Sequence, residues 1–171
     1  DRPKGEDDEP APDLPRPRPH RVLVSGCAED GPWLLAGVVT DPSELLGWPF
    51  STFPEGGPDA VRAAVPALAP SASAARLVCT NGKRDTCCAL RGRPIAAELA
   101  ARRPADVWEV SHLGGHRFAP TALVLPTGQL LGRLTPDLAE AALRAADDGL
   151  IAPETLVEGV FRGRSCLTPP E

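Results

Sequence analysis

The order of apolar and turn-forming segments in the second half of the chain limits the folds that it can adopt. Apolar runs short enough for strands alternate with stretches whose apolar residues recur at helical spacing. The predicted order is strand, helix, strand, hairpin and helix, over Arg76–Thr80, Pro94–Arg103, Val107–Ser111, Thr121–Leu134 and Asp137–Ala146. This order predicts one small sheet covered by helices.

Residues that favour element ends support these boundaries. Pro94 stands in the first turn of one predicted helix, and Thr135 followed by Pro136 is a typical start for the other. Pro126-Thr-Gly128 separates the two strands of the predicted hairpin. The simplest arrangement is an α/β fold with a thioredoxin-like sheet flanked by helices.

The first half of the chain is less regular. Asp1–His20 is rich in proline and carboxylates and has no apolar periodicity, so we expect a flexible segment there. Arg21–Ser25 and Trp33–Thr40 predict a pair of strands. Beyond them we expect a short helix, a loop and a second helix, at Asp41–Leu46, Pro54–Pro58 and Ala60–Leu68.

The length of the chain bounds its domain organisation. A chain of 171 residues is long enough for one ordinary domain with a buried core. We therefore predict one folded unit with a tail. Its parts are a flexible N-terminal segment at 1–20, a strand and helix part at 21–75, a thioredoxin-like region at 76–165 and a C-terminal tail at 166–171.

Charge and composition exclude several classes of partner. A formal net charge of -5 argues against a nucleic-acid surface, because phosphate binding depends on clustered Lys and Arg. No apolar run has the length needed to cross a bilayer, so we expect a soluble protein that does not bind membranes. Five cysteines at uneven spacing suit a reducing compartment and metal or redox use, which favours the cytoplasm.

Two cysteines and two histidines form the candidate binding site. Cys79 and Cys88 have eight residues between them, across a predicted loop from Asn81 to Cys88, and His112 and His116 have three residues between them. Two thiolates with two imidazoles suit zinc or an iron-sulfur cluster better than magnesium or calcium. Eight intervening residues are more than a zinc knuckle usually has, so the spacing modestly favours an iron-sulfur cluster. Zinc remains an alternative at this point.

The segments around these residues resemble the sucrase/ferredoxin-like family, which is related to thioredoxin-like two-iron, two-sulfur ferredoxins. The matching segments are Cys79–Ala89, Arg91–Pro94, Val107–Ala119 and Leu123–Gly128. The resemblance covers roughly Arg21 to Ser165 and is specific around the ligands. It implies an electron carrier rather than an enzyme, and it implies no glycosidase activity.

The resemblance also implies the ligand set. A two-iron, two-sulfur (2Fe-2S) cluster would be held by Cys79, Cys88, His112 and His116. If the cysteines bind one iron and the histidines the other, the potential should lie within the Rieske range of about -150 to +300 mV. The free ring nitrogens should couple proton to electron uptake, so the potential should fall as the pH rises into the alkaline range.

Two alternatives to an electron carrier or redox sensor remain at this stage. One is a binding module in which the same four residues hold a structural zinc ion. The other is a thioredoxin-like thiol oxidoreductase that uses Cys79, Cys87 or Cys88. A strained disulfide between the adjacent cysteines is unfavourable, so we interpret Cys87 as a buried neighbour or a spare ligand.

The remaining cysteines and the nearby cations are interpreted more simply. Cys27 and Cys166 stand alone and are typical of small buried apolar residues, so we assign them no role. Basic residues crowd the predicted ligand loops, where they form either a solvated face or a docking surface for an acidic redox partner protein. They are Lys83, Arg84, Arg91, Arg93 and Arg117.

Overall fold

A computed structural model describes residues 19–28, 31–83 and 86–164. Eight strands lie in this part of the chain: β1 His20–Ala28, β2 Gly31–Val39, β3 Ala69–Pro70, β4 Ala75–Cys79, β5 Val107–Val110, β6 Ala122–Leu125, β7 Gln129–Leu131 and β8 Phe161–Arg164. The α-helices of the same part are α1 Phe53–Ala64, α2 Thr86–Arg102 and α3 Pro136–Asp147. None of its helices has both the length and the apolar character needed to span a membrane.

Five strands form the larger sheet, in the order β5-β4-β6-β7-β8. β4 and β5 are parallel and are joined through α2, and the remaining neighbours are antiparallel. Leu77 at the centre of β4 lies between Trp108 of β5 and Leu123 of β6. The predicted order of strand, helix, strand, hairpin and helix is confirmed, and the fold is thioredoxin-like.

The smaller sheet consists of β1, β2 and the two-residue strand β3. β1 and β2 form the predicted pair of strands, and the structure shows that the pair is antiparallel, with His20 opposite Val39. After β2, Asp41 caps a 3-10 helix at Pro42–Gly47, since its side chain accepts a hydrogen bond from the backbone N–H of Ser43. The short helix expected at this position is therefore confirmed.

Each side chain of β4 and β6 faces one of two packed layers. Val78 and Val124 face α2 and α3, where they pack in the main hydrophobic core. Ala75 and Leu125 point to the opposite face and pack against Leu34 of the smaller sheet. The alternation of side chains along a strand therefore places the larger sheet between two helices on one face and the smaller sheet on the other.

The boundaries of two helices differ from the prediction. The loop expected at Pro54–Pro58 lies within α1, where Gly57 interrupts the helical backbone with a φ of 63°. The helix expected to begin at Pro94 begins at Thr86, and Pro94 lies inside it. Proline is most common in a first turn, but one lost backbone hydrogen bond is tolerable when tertiary packing holds the helix.

The arginine in β4 ties the sheet to α3. Arg76 is fully buried, and its guanidinium donates a hydrogen bond to the carbonyl of Ala139. Burial lowers the pKa of Arg76 to about 9, and nearby Glu140 opposes this effect. Glu140 also accepts a hydrogen bond from Arg103 at 3.0 Å, so a charged pair links the residue after α2 to α3.

The tails of the predicted domain organisation lie mostly outside the described residues. These are residues 1–18 of the N-terminal segment and residues 165–171 at the C-terminus. The start of β1 at His20 is close to the predicted boundary, whereas β8 was not predicted from the sequence. The division of the domain at residue 75 stays a prediction.

Candidate metal centre

The fold brings Cys79 and Cys88 together at one end of the larger sheet. Cys79 is the last residue of β4, and Cys88 lies in the first turn of α2. Gly92 allows this approach, because a Cβ atom there would collide with the carbonyl oxygen of Cys79. The predicted loop from Asn81 to Cys88 therefore ends earlier, and both Cys87 and Cys88 belong to the helix.

The two thiols are shielded from water. Cys79 is 0% exposed and Cys88 is 2% exposed, and both pack against Ala119, with Cys87 and Leu113 beside them. Burial raises the pKa of Cys88 to about 12, and a hydrogen bond with Cys79 adds to this effect. Cys88 therefore keeps its proton at neutral pH in the absence of a metal, and metal binding would have to displace it.

The histidines lie on a loop that follows β5. Gly114 and Gly115 both have positive φ angles, 79° and 65°, and a 3-10 helix follows at His116–Phe118. These left-handed backbone angles bend the chain between the two histidines. Both His112 and His116 are exposed.

The histidine loop contacts the cysteines through neighbouring residues. The thiol of Cys87 donates a hydrogen bond to the backbone oxygen of His116, with 3.4 Å between the two atoms. Leu113, the residue after His112, packs on the buried pair of thiols. The sulfur and nitrogen donors therefore belong to adjoining segments of the fold.

The four predicted ligands are brought together only in part. Within the described residues, no group of three or more Cys, His, Asp or Glu side chains is arranged to hold a metal ion. Cys79 and Cys88 belong to one packed cluster of side chains, whereas His112 and His116 are exposed residues. The chemistry of the donors fits an iron-sulfur or zinc site, and the full ligand set stays a prediction.

Most of the predicted basic residues are exposed, on the segments that carry the candidate ligands. Lys83, Arg91, Arg93 and Arg117 are exposed, while Arg84 lies outside the described residues. The structure adds two further arginines on distant segments, Arg133 and Arg162, whose guanidinium groups lie over the ring of Phe118. Sequence reasoning missed them, since a cation far along the chain carries no signal of where the fold will place it.

The lone cysteines give no further information about the site. The side chain of Cys27 and the whole of Cys166 lie outside the part of the chain that the structure describes. Cys79, Cys87 and Cys88 are free thiols.

Comparison with known proteins gives one match to a family and one to a solved structure. The solved structure is that of a thioredoxin-like 2Fe-2S ferredoxin from Aquifex aeolicus, with a TM-score of 0.43 and 16% sequence identity over 58% of this chain and 97% of the ferredoxin chain. No curated protein matches this sequence. At this TM-score and identity, the likeness assigns neither a fold nor a ligand by itself.

The family match covers more of the chain. The model of the family described as sucrase/ferredoxin-like matches residues 23–163, which includes every element from β2 to α3 and both pairs of candidate ligands. The match extends over well more than half of the sequence. This chain therefore belongs to the sucrase/ferredoxin-like family.

Proposed function

We propose that this protein binds a 2Fe-2S cluster through Cys79, Cys88, His112 and His116 and works as an electron carrier or a redox sensor. The observation that carries the proposal is the contact between the buried thiols and the loop of the histidines. Cys79 and Cys88 share one packed cluster with Leu113, and Cys87 bonds to the backbone of His116. Family membership supports the same ligand assignment.

The two halves of the site would have different tasks. A bound cluster supplies a group that accepts and releases one electron reversibly. Cys79 and Cys88 would supply sulfur donors, and the packing of Leu113 and Ala119 against them keeps water away from that side. His112 and His116 would supply nitrogen donors from the exposed side, which is where a partner can approach.

The environment of Cys88 argues against its use as the nucleophile of a thiol oxidoreductase. A nucleophilic cysteine needs a lowered pKa and access to substrate. Cys88 has the opposite properties, because it is buried and burial raises its pKa to about 12. Holding a metal or cluster is a better use of such a thiol, since metal binding compensates for the loss of its proton.

Metal analysis of the full chain tests the proposal. Protein purified without oxygen should be red-brown and contain two iron and two acid-labile sulfide per chain, with an electron-spin signal after reduction. Colourless protein that contains zinc, without iron or sulfide, would show that the site is a structural zinc site instead.

Adjacent cysteines provide a matched pair of variants for the ligand assignment. Cys88→Ser should remove iron and sulfide, because Cys88 is the buried thiol beside Cys79. Cys87→Ser should retain both, since its hydroxyl can still donate a hydrogen bond to the backbone of His116. Loss of colour in the Cys87 variant alone would mean that the wrong cysteine is assigned as a ligand.

A further inference from the structure

Two arginines from distant segments lie over one aromatic ring beside the candidate metal centre. The ring belongs to Phe118, at the end of the 3-10 helix that begins with His116. The guanidinium carbon of Arg162 lies 3.7 Å from the ring centroid, and that of Arg133 lies 5.7 Å from it. Both are within the range of cation–π interaction, and both side chains are exposed.

The backbone holds Arg133 in this position. Arg133 has a φ of 46°, which is uncommon for a residue other than glycine, and its N–H donates to the carbonyl of Phe118 at 2.6 Å. The preceding residue, Gly132, lies so close that a Cβ atom would be 2.8 Å from that of Phe118. The turn after β7 therefore packs closely against the histidine loop.

The arginines around Phe118 carry positive charge without a balancing carboxylate. Arg117, the residue before Phe118, is also exposed and adds a third cation beside the two that lie over the ring. Across the described residues, the ion pairs involve other arginines, and none joins Arg117, Arg133 or Arg162 to an acidic side chain. Like charges around one ring repel one another, and anionic groups from another molecule would relieve this repulsion.

This surface adjoins the candidate metal centre. Phe118 is followed by Ala119, which packs directly on Cys79 and Cys88. On its other side Phe118 is two residues from His116, so the charged surface and the exposed histidine share one short helix. A molecule bound to the arginines would thus lie close to the solvent side of the centre.

We propose that Arg117, Arg133 and Arg162, here called the arginine patch, form the docking surface for an acidic partner protein. The purpose of this docking, electron exchange at the neighbouring centre, rests on the proposed function. The binding itself depends only on charge and on the stacking over Phe118. Carboxylates of the partner would bind the guanidinium groups, which are suited to paired hydrogen bonds with such anions.

A labelled acidic peptide tests the patch on the full chain as purified. Fluorescein-labelled hexaglutamate should bind the wild type at low ionic strength, as measured by fluorescence anisotropy, and should dissociate as salt is added. The double variant Arg133→Gln with Arg162→Gln should bind about tenfold more weakly. The control Arg62→Gln with Arg144→Gln removes the same charge elsewhere and should change binding by less than about twofold, because it leaves the patch intact.

Further variants separate charge from folding. Arg133→Lys with Arg162→Lys keeps the charge and should retain most of the binding, and Arg117→Gln removes one exposed cation that makes no ring contact among the described residues. If circular dichroism shows that the double Gln variant is not folded, Arg117→Gln is used instead, and it should bind the peptide about threefold more weakly than the wild type. Equal binding by patch and control variants would overturn the proposal.

Two outcomes distinguish this inference from the proposed function. Colourless protein that binds hexaglutamate through the patch would refute the cluster and leave the docking surface standing. Cluster-containing protein whose peptide binding does not depend on the patch would overturn only the proposal of a docking surface. Tighter, patch-dependent binding of a single-stranded oligonucleotide of equal charge would also overturn it, since the partner would then be a nucleic acid.

Discussion

The cysteine half and the histidine half of the candidate centre differ in how firmly the fold holds them. Cys79 and Cys88 are buried between the end of β4 and the first turn of α2, whereas His112 and His116 are exposed on a loop with two left-handed glycines. The sulfur donors are thus part of the core, and the nitrogen donors belong to the surface. The thiol side is therefore enclosed by the fold, whereas the histidine side is open to solvent.

The largest expected difference between the halves is in the pH dependence of stability. The ordinary pKa of Cys88 is 9.0, and burial raises it to about 12 in the folded protein. Between these values the unfolded chain releases a proton that the folded chain retains, so unfolding becomes easier as the pH rises. Metal-free protein should therefore become easier to unfold as the pH rises above 9, by on the order of 1 kcal/mol per pH unit from this group.

Urea unfolding of metal-free protein between pH 8 and pH 10.5 measures this slope. The control is Cys88→Ala, which is expected to be less stable at every pH but to show a shallower slope, since the titrating thiol is gone. Equal slopes for the variant and the wild type would mean that Cys88 does not retain its proton, and the distinction between the halves would weaken.

An effect of similar size is expected from the close contact between α2 and β4. Gly92→Ala places a methyl group against the carbonyl of Cys79, so either the helix or the strand end must shift. Overpacking of this kind costs about 1–3 kcal/mol, and the shift should also lower the iron content. Urea unfolding and iron analysis of the same preparation measure the two effects.

Gly47→Ala is the matched control for this substitution. Gly47 has no atom within 4 Å of an added Cβ, so its replacement should change the unfolding free energy by no more than about 0.5 kcal/mol. If Gly92→Ala is as stable as the control, the close approach of α2 to Cys79 does not contribute to the stability of the cysteine half.

The smallest effect on stability is expected in the histidine half. His112 is exposed, so His112→Ala should change the unfolding free energy of metal-free protein by no more than about 0.5 kcal/mol. The same substitution should nevertheless remove iron and sulfide, because it removes a proposed ligand. His20→Ala, at an exposed position outside the site, should leave both properties unchanged. A His112 variant that retains its full cluster would remove this residue from the ligand set.

The sequence predicted the elements whose signals are local. The strand at β4, the hairpin of β6 and β7, and the helix capped by Thr135 were predicted within a few residues, because apolar alternation, Pro126-Thr-Gly128 and the capping threonine act on their own neighbourhood. The predicted start of α2 was wrong because it depends on tertiary packing rather than on a local signal. Pro94 is a strong local signal for a helix start, but α2 begins earlier, at Thr86, so that Gly92 packs against Cys79 and Pro94 lies inside the helix.

The candidate site likewise has some features that the sequence predicts and others that only the fold decides. Its residue types and spacings predict a soft donor set at Cys79, Cys88, His112 and His116, and this prediction needs no coordinates. Only the tertiary structure decided that the thiols are buried together, that the histidine loop lies against them, and that Arg133 and Arg162 converge on Phe118. The physical reason is that side-chain chemistry and backbone preference are properties of neighbouring residues, whereas burial and convergence arise when segments far apart in sequence pack together.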